Sequence, residues 1–262
     1  MNDIVRSLRP FTAARIGLQA TGPSLATGEV LKLAQDHALA RDAVHAAFDS
    51  AAIQTTLTAL GHPVYSLQSL APDRATYLRR PDLGRQLAPQ TAESLATSFI
   101  ASQPPDLPPP DVAVVIADGL SAAAPAAHAV PLLRELATLS PARWSKVPVV
   151  LATQARVALG DAAGAALQAR LVLVLIGERP GMSAHDSLGA YLTYAPRAGR
   201  TDAERNCISN IRPAGLAYAA AAHHIHWLVE AALARAVTGV ELKDESGSAP
   251  LHIGPPPANI GA

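Results

Sequence analysis

Five consecutive residues, Gly177, Glu178, Arg179, Pro180 and Gly181, set a carboxylate beside a guanidinium in a segment bounded by glycines. Glycine admits tight or positive-φ backbone, and Pro180 stiffens the turn. A carboxylate displayed on such a loop accepts hydrogen bonds from amide or ribose hydroxyl groups of a ligand. The same residues also suit a sharp connection with solvated charges. A second cluster, Arg205, Asn206, Cys207, Ile208, Ser209 and Asn210, concentrates hydrogen-bonding and polarisable groups. Its asparagines and serine predict a turn with exposed backbone amides. This favours binding over catalysis. A nucleophilic thiol needs a nearby base and a lowered pKa, and the sequence offers neither to Cys207. A lone cysteine also serves as a small buried apolar residue. A third cluster, Asp118, Gly119, Leu120 and Ser121, reads either as a ligand loop or as an aspartate capping the next helix.

Other chemistries lack their patterns. No G-x-G-x-x-G fingerprint and no phosphate loop ending in Lys-Ser/Thr occurs, which weakens a nicotinamide-dependent oxidoreductase reading. No G-x-S-x-G nucleophile elbow or paired-carboxylate spacing is visible. His37, Arg41 and His45 repeat at helical spacing, but the intervening cation disfavours a metal between the histidines. His223 and His226 share a helix face with no carboxylate at ligand spacing. Both groups suit surface pairing or a subunit contact.

Elements must carry these clusters, and composition bounds what they are. The chain has 262 residues, is 49% hydrophobic, and balances 21 Lys+Arg against 21 Asp+Glu. It can bury a core, and it has no excess positive charge to draw in nucleic acid or anionic lipid. A single cysteine excludes an internal disulfide framework and suits a reducing, cytoplasmic setting. The opening residues contain no apolar segment of the secretory kind, and no apolar run approaches a membrane span. Neither nucleic acid nor membrane is an expected partner.

Residues 103–111 contain five prolines, which neither a helix interior nor a central strand tolerates. Before this segment the spacing predicts helices at 28–48, N-capped by Thr27, and at 82–102, with 64–70 a short strand or irregular. After it come three strand-like apolar runs, 112–117, 147–152 and 171–176, alternating with helical sequence, and a long Ala-rich helix over about 215–237. Alternation of this kind predicts an α/β fold with a parallel sheet. The expected organisation is a mainly helical region 1–103 making subunit contacts, a Pro-rich linker 104–111, a Rossmann-like α/β domain 112–243 that binds the ligand, and a flexible tail 244–262. In open α/β sheets ligands bind outside the carboxyl ends of the strands. The turns to watch are therefore 118–121, 154–157 and 177–181.

The chain resembles the small subunit of ethanolamine ammonia-lyases. The resemblance is carried by residues 8–16 and 36–44, by Asp118-Gly119-Leu120-Ser121, Arg156-Val157, Gly177-Glu178-Arg179-Pro180-Gly181, Asp186-Ser187-Leu188 and Cys207-Ile208-Ser209-Asn210-Ile211, in the family's order and over nearly the whole chain. It implies a carbon–nitrogen lyase, a heteromeric enzyme of higher order in which adenosylcobalamin lies between this subunit and a large (β/α)₈-barrel subunit that binds ethanolamine. Cobalt–carbon homolysis would start a radical rearrangement to acetaldehyde and ammonia. The cofactor carries that chemistry and the protein orients it. The resemblance further implies cofactor contacts at Val157, Glu178 and Cys207, no catalytic residue in this chain, and no metal ligand from it. The missing Asp-x-His-x-x-Gly string agrees with a cofactor that keeps its own benzimidazole below the cobalt. Some family members carry a long N-terminal extension tied to bacterial microcompartments. This chain opens almost at the first shared motif, so plain cytoplasm is the expected location beside that alternative. The competing reading is a non-enzymatic ligand-binding or interaction module of the same fold.

Overall fold

The computed structural model describes residues 3–8, 11–12, 14–104 and 107–247. The end of the expected tail and parts of the opening motif and the Pro-rich segment lie outside the described residues. In chain order come α1 (Asp3–Leu8), a ribbon of β1 (Ala20–Thr21) and β2 (Ser24–Leu25), α2 (Thr27–His45), α3 (Ser50–Ala59), β3 (Val64–Gln68), α4 (Arg74–Arg79) and α5 (Pro89–Ser102). There follow β4 (Val112–Ala117), α6 (Ala123–Leu139), α7 (Pro141–Trp144), β5 (Val149–Thr153), α8 (Leu159–Ala166), β6 (Leu171–Gly177), β7 (Leu188–Tyr194), β8 (Asn206–Ile211) and α9 (Tyr218–Arg235).

Six strands form one sheet in the order β3-β5-β4-β6-β7-β8. Strands β4 and β6 are buried along their whole length, as their unbroken apolar runs require when helices cover both faces. Alternate residues serve opposite cores. Val114, Ile116, Leu173 and Leu175 pack with Leu132 and Leu136 of α6 and Ile225 and Leu228 of α9. Ala113, Val115, Val172 and Val174 pack with Leu95 and Phe99 of α5 and Leu159 and Ala163 of α8.

Four expectations need correction. The sheet is mixed, not parallel throughout: β3, β5, β4 and β6 run parallel, while β7 and β8 are antiparallel additions. Only residues 178–187 join β6 to β7, and a parallel crossover needs about a dozen or more residues. The cluster at 205–210, expected as a turn, is mostly strand β8. It is an edge strand with Ile208 and Ile211 buried; Cys207, Ser209 and Asn210 face outward as a turn's residues would, while Arg205 just before the strand is buried against Asp161. Helix α2 begins at Thr27 itself, with Ala26 before it and no side-chain cap. The stretch 82–102 is broken into a tight turn at Leu83–Arg85 and then α5, which starts at Pro89, where a helix has no use for the missing N–H.

The Pro-rich segment does not divide the sheet. Residues 64–68, which precede it, form β3 in register with β5, which follows it. Helix α2 buries only Ala43, and Val30, Leu31 and Leu33 are exposed. No helix among the described residues is long and apolar enough to cross a membrane.

Candidate functional site

Strand β4 lies between β5 and β6, while the chain visits β4, β5 and β6 in that order. Helix α6 joins the first two from one face, and α8 joins the second pair from the other. The two connections therefore run in opposite directions along the sheet, and a crevice opens outside the carboxyl ends of the strands. The cleft there measures about 510 Å³ and is lined by Gly119, Arg156, Val157, Glu178, Tyr191 and Ser209 among others.

Its floor is backbone packed on backbone. Leu120 N–H donates to Gly177 O at 2.9 Å. Gly119 has φ +57°, and a Cβ there would lie 2.2 Å from Gly177 O. A Cβ on Gly177 would lie 2.0 Å from Ser121 O. Glycine is required at both positions because no side chain fits between the two turns.

Asp118 fastens the neighbouring turn. It does not cap α6, whose N-cap is Ala122 with no side-chain bond. Instead its carboxylate accepts from the N–H groups of Gly119 at 2.9 Å, Gln154 at 2.9 Å and Ala155 at 3.0 Å. Arg74 stands 3.4 Å away. Gln154 sits at positive φ (53°), so this carboxylate holds the backbone in a conformation the residue does not favour. Burial pushes the Asp118 carboxyl pKa up, and the backbone donors and Arg74 pull it back.

The wall beside Val157 is built on Tyr77, which is fully buried and donates to Ala155 O at 3.1 Å. It belongs to α4, whose N-cap Asp73 accepts from Thr76 N–H at 2.7 Å. The guanidinium carbons of Arg74 and Arg156 lie 4.9 and 4.4 Å from the Tyr77 ring centre. Arg156 N–H donates to Gly84 O at 2.8 Å, which fixes the turn that carries Val157. Burial drives the Tyr77 phenol pKa well above its ordinary value.

On the far wall Glu178 Oε2 accepts from Ser187 Oγ and, at 3.2 Å, from Asn210 N–H. Both donors meet the same oxygen. Oε1 faces Gly189, where a Cβ would come within 3.0 Å. Asn210 is itself held by Arg212, which donates to its side-chain oxygen at 3.0 Å. Tyr191 lies directly across the ladder from Cys207. Burial, and after it the neighbouring Cys207 and Glu178, raise the Tyr191 pKa, so its hydroxyl stays protonated.

The structure thus brings Val157 and Glu178 into one cleft. Cys207 does not itself line the cleft: it is exposed, directly across the ladder from Tyr191 and with Sγ 3.4 Å from Ser209 Oγ, and those two residues do line it. Tyr77, Arg74 and Tyr191 were not anticipated, whereas Ser209 belongs to the 205–210 cluster already favoured for binding. Tyr77 had no local pattern to mark it, since its partners come from residues 74, 84 and 155–156. The arrangement offers acceptors, donors and an apolar wall. Among the described residues no group of three or more His, Cys, Asp or Glu side chains could hold a metal.

The ethanolamine ammonia-lyase light chain (EutC) family model matches residues 2–243. The chain belongs to the ethanolamine ammonia-lyase small-subunit family. It is 56% identical over 250 residues to the ethanolamine ammonia-lyase small subunit of Bradyrhizobium diazoefficiens, covering 94% of this chain and 93% of that one. It is 52% identical to the corresponding subunit of Xanthomonas campestris pv. campestris, covering 93% of this chain and 89% of the relative. With that of Rhodopseudomonas palustris it shares 53%, covering 92% and 90%. In this chain the Asp118 and Gly177 turns are adjacent at one sheet edge.

Proposed function

We propose that this chain is the small subunit of an adenosylcobalamin-dependent ethanolamine ammonia-lyase. It would form a higher-order complex with a large subunit that holds ethanolamine. The cleft at the carboxyl edge of β4, β5 and β6 would receive the cofactor. The observation that carries this reading is the convergence of the turns at 118–121, 156–157 and 177–179 on one open cleft. In this reading the four parallel strands act as a Rossmann-like cofactor platform, and residues before the Pro-rich segment contact partner subunits.

The residues suit one face of a large amide-fringed macrocycle. The floor carries no side chain between Gly119 and Gly177, so a broad ligand reaches backbone. Val157 supplies an apolar contact. Glu178, steadied through Oε2, presents Oε1 to amide donors. Ser209 borders the same space, and Cys207 beside it would reach the cofactor through its side chain or backbone. An open cleft of this size covers one side of such a ligand and leaves the rest for a partner. Adenosylcobalamin would supply the radical chemistry when bound. This chain's part is to bind and orient the cofactor and to exclude water from one of its faces.

The test is ammonia release from ethanolamine by the complex purified through this chain, with and without adenosylcobalamin. Release that needs the cofactor supports the reading. No release from an intact two-subunit complex supplied with cofactor overturns it.

A further inference from the structure

Two guanidinium groups flank the buried ring of Tyr77, but only one carboxylate is near to balance them. Arg74 is largely accounted for: it bonds Val44 O at 2.7 Å and Gly119 O at 2.7 Å and lies 3.4 Å from Asp118, which leaves only its buried Nη2 without a partner. Arg156 is not. Among the described residues its guanidinium makes no hydrogen bond and no ion pair. Its Nε is buried without a partner. The other carboxylate of the cleft, Glu178, spends one oxygen on Ser187 and Asn210 and pairs with no cation. A partly buried, unpaired cation is costly, and a buried donor without an acceptor calls for an explanation; at the wall of an open cleft a ligand is the simplest one. Stacking on Tyr77 at 4.4 Å fixes the plane of the fork, and the side chain lines the cleft. A fixed guanidinium fork is matched to two oxygens of a phosphate or carboxylate.

We infer that Arg156 is an anion-binding residue of the cleft, and that its ligand is the phosphodiester of the cobalamin nucleotide loop. This rests on the cobalamin reading above and goes further by assigning an ionic contact to a named side chain. Val157, the next residue, then touches the apolar part of the same ligand.

The test uses the two-subunit complex and measures equilibrium binding by absorbance with two compounds. One is adenosylcobalamin. The other is adenosylcobinamide, which lacks the nucleotide loop and its phosphate. Arg156→Gln is expected to weaken adenosylcobalamin binding by about 10- to 100-fold, the usual effect of losing a charge-assisted contact. Its adenosylcobinamide binding should equal that of the unaltered complex. Arg156→Lys, which keeps the charge without the fork, should recover part of the loss and guards against misfolding. An equal loss for both compounds, or no loss for either, overturns the assignment. So does dissociation of the subunits in Arg156→Gln, because the anion would then be a carboxylate of the partner. An unaltered complex that binds neither compound overturns the cobalamin reading itself, and this assignment with it.

Discussion

Replacing Gly119 by alanine probes the floor of the cleft most sharply. Two separable effects are expected. The residue sits at φ +57°, and a left-handed conformation costs an L side chain about 1–2 kcal/mol. The added Cβ would also lie 2.2 Å from Gly177 O and 2.5 Å from Ile176 Cγ1. Relieving that overlap means separating the β4 and β6 turns, which are tied by the Leu120-to-Gly177 hydrogen bond, and overpacking of this kind costs about 1–3 kcal/mol. Gly61→Ala supplies the control. That glycine is also at positive φ (90°), but a Cβ there has nothing within 4 Å. Gly119→Ala should therefore be about 1–3 kcal/mol less stable than Gly61→Ala. At about 2–4 °C per kcal/mol for a chain of this general size, the melting temperatures should differ by roughly 2–12 °C. The assay is thermal unfolding of the purified variants by circular dichroism. Coincident melting of the two would refute the claim that close backbone packing sets the cleft floor.

Glu178→Gln removes the charge of the acceptor proposed to meet the cofactor while keeping shape, and should weaken adenosylcobalamin binding by about tenfold in an equilibrium titration, the equivalent of one charge-assisted hydrogen bond. Asp161→Ala leaves Arg205 buried without the carboxylate it holds at 2.6 and 2.8 Å. It should destabilise the chain by about 3–5 kcal/mol in urea unfolding. Hydrogen bonds from Thr201, followed by Arg200, depress the Glu204 carboxyl from 4.5 to about 2. Its contribution to stability is then complete above its unfolded value and lost as pH falls toward its folded one. Glu204→Gln should accordingly flatten the acid limb of the stability–pH curve between about pH 4.5 and 2, measured by urea midpoints across that range.

The parallel strands were legible because burial on both faces forces unbroken apolar runs, and 112–117 and 171–176 leave little else to propose. Their order in sequence, with helical segments between, also pointed to the carboxyl edge, where the structure has a cleft. Strand β8 was hidden for the opposite reason. Edge strands keep few buried residues, and Asn206, Ser209 and Asn210 look like turn formers whichever structure they adopt. Residues 64–68 held no sign that they would pair with a strand some 85 positions later in the chain. For Asp118 the choice between a ligand loop and a helix cap stayed open because capping is a local pattern, whereas its donors at 154 and 155 come from another turn. Tyr77 and the unpaired Arg156 depend on the same kind of distant meeting. The family motifs marked Glu178 and Val157, but only the fold puts them on opposite sides of one opening.

The central claim is that the cofactor sits at the carboxyl-edge cleft of this chain. It is tested most directly by binding adenosylcobalamin to the two-subunit complex with the cleft filled by Ser209→Trp. Ser209 is exposed and lines the cleft, so the bulky ring can be placed without disturbing the core. The account predicts an intact complex that no longer binds the cofactor. An intact complex that binds it as tightly as before would contradict the account.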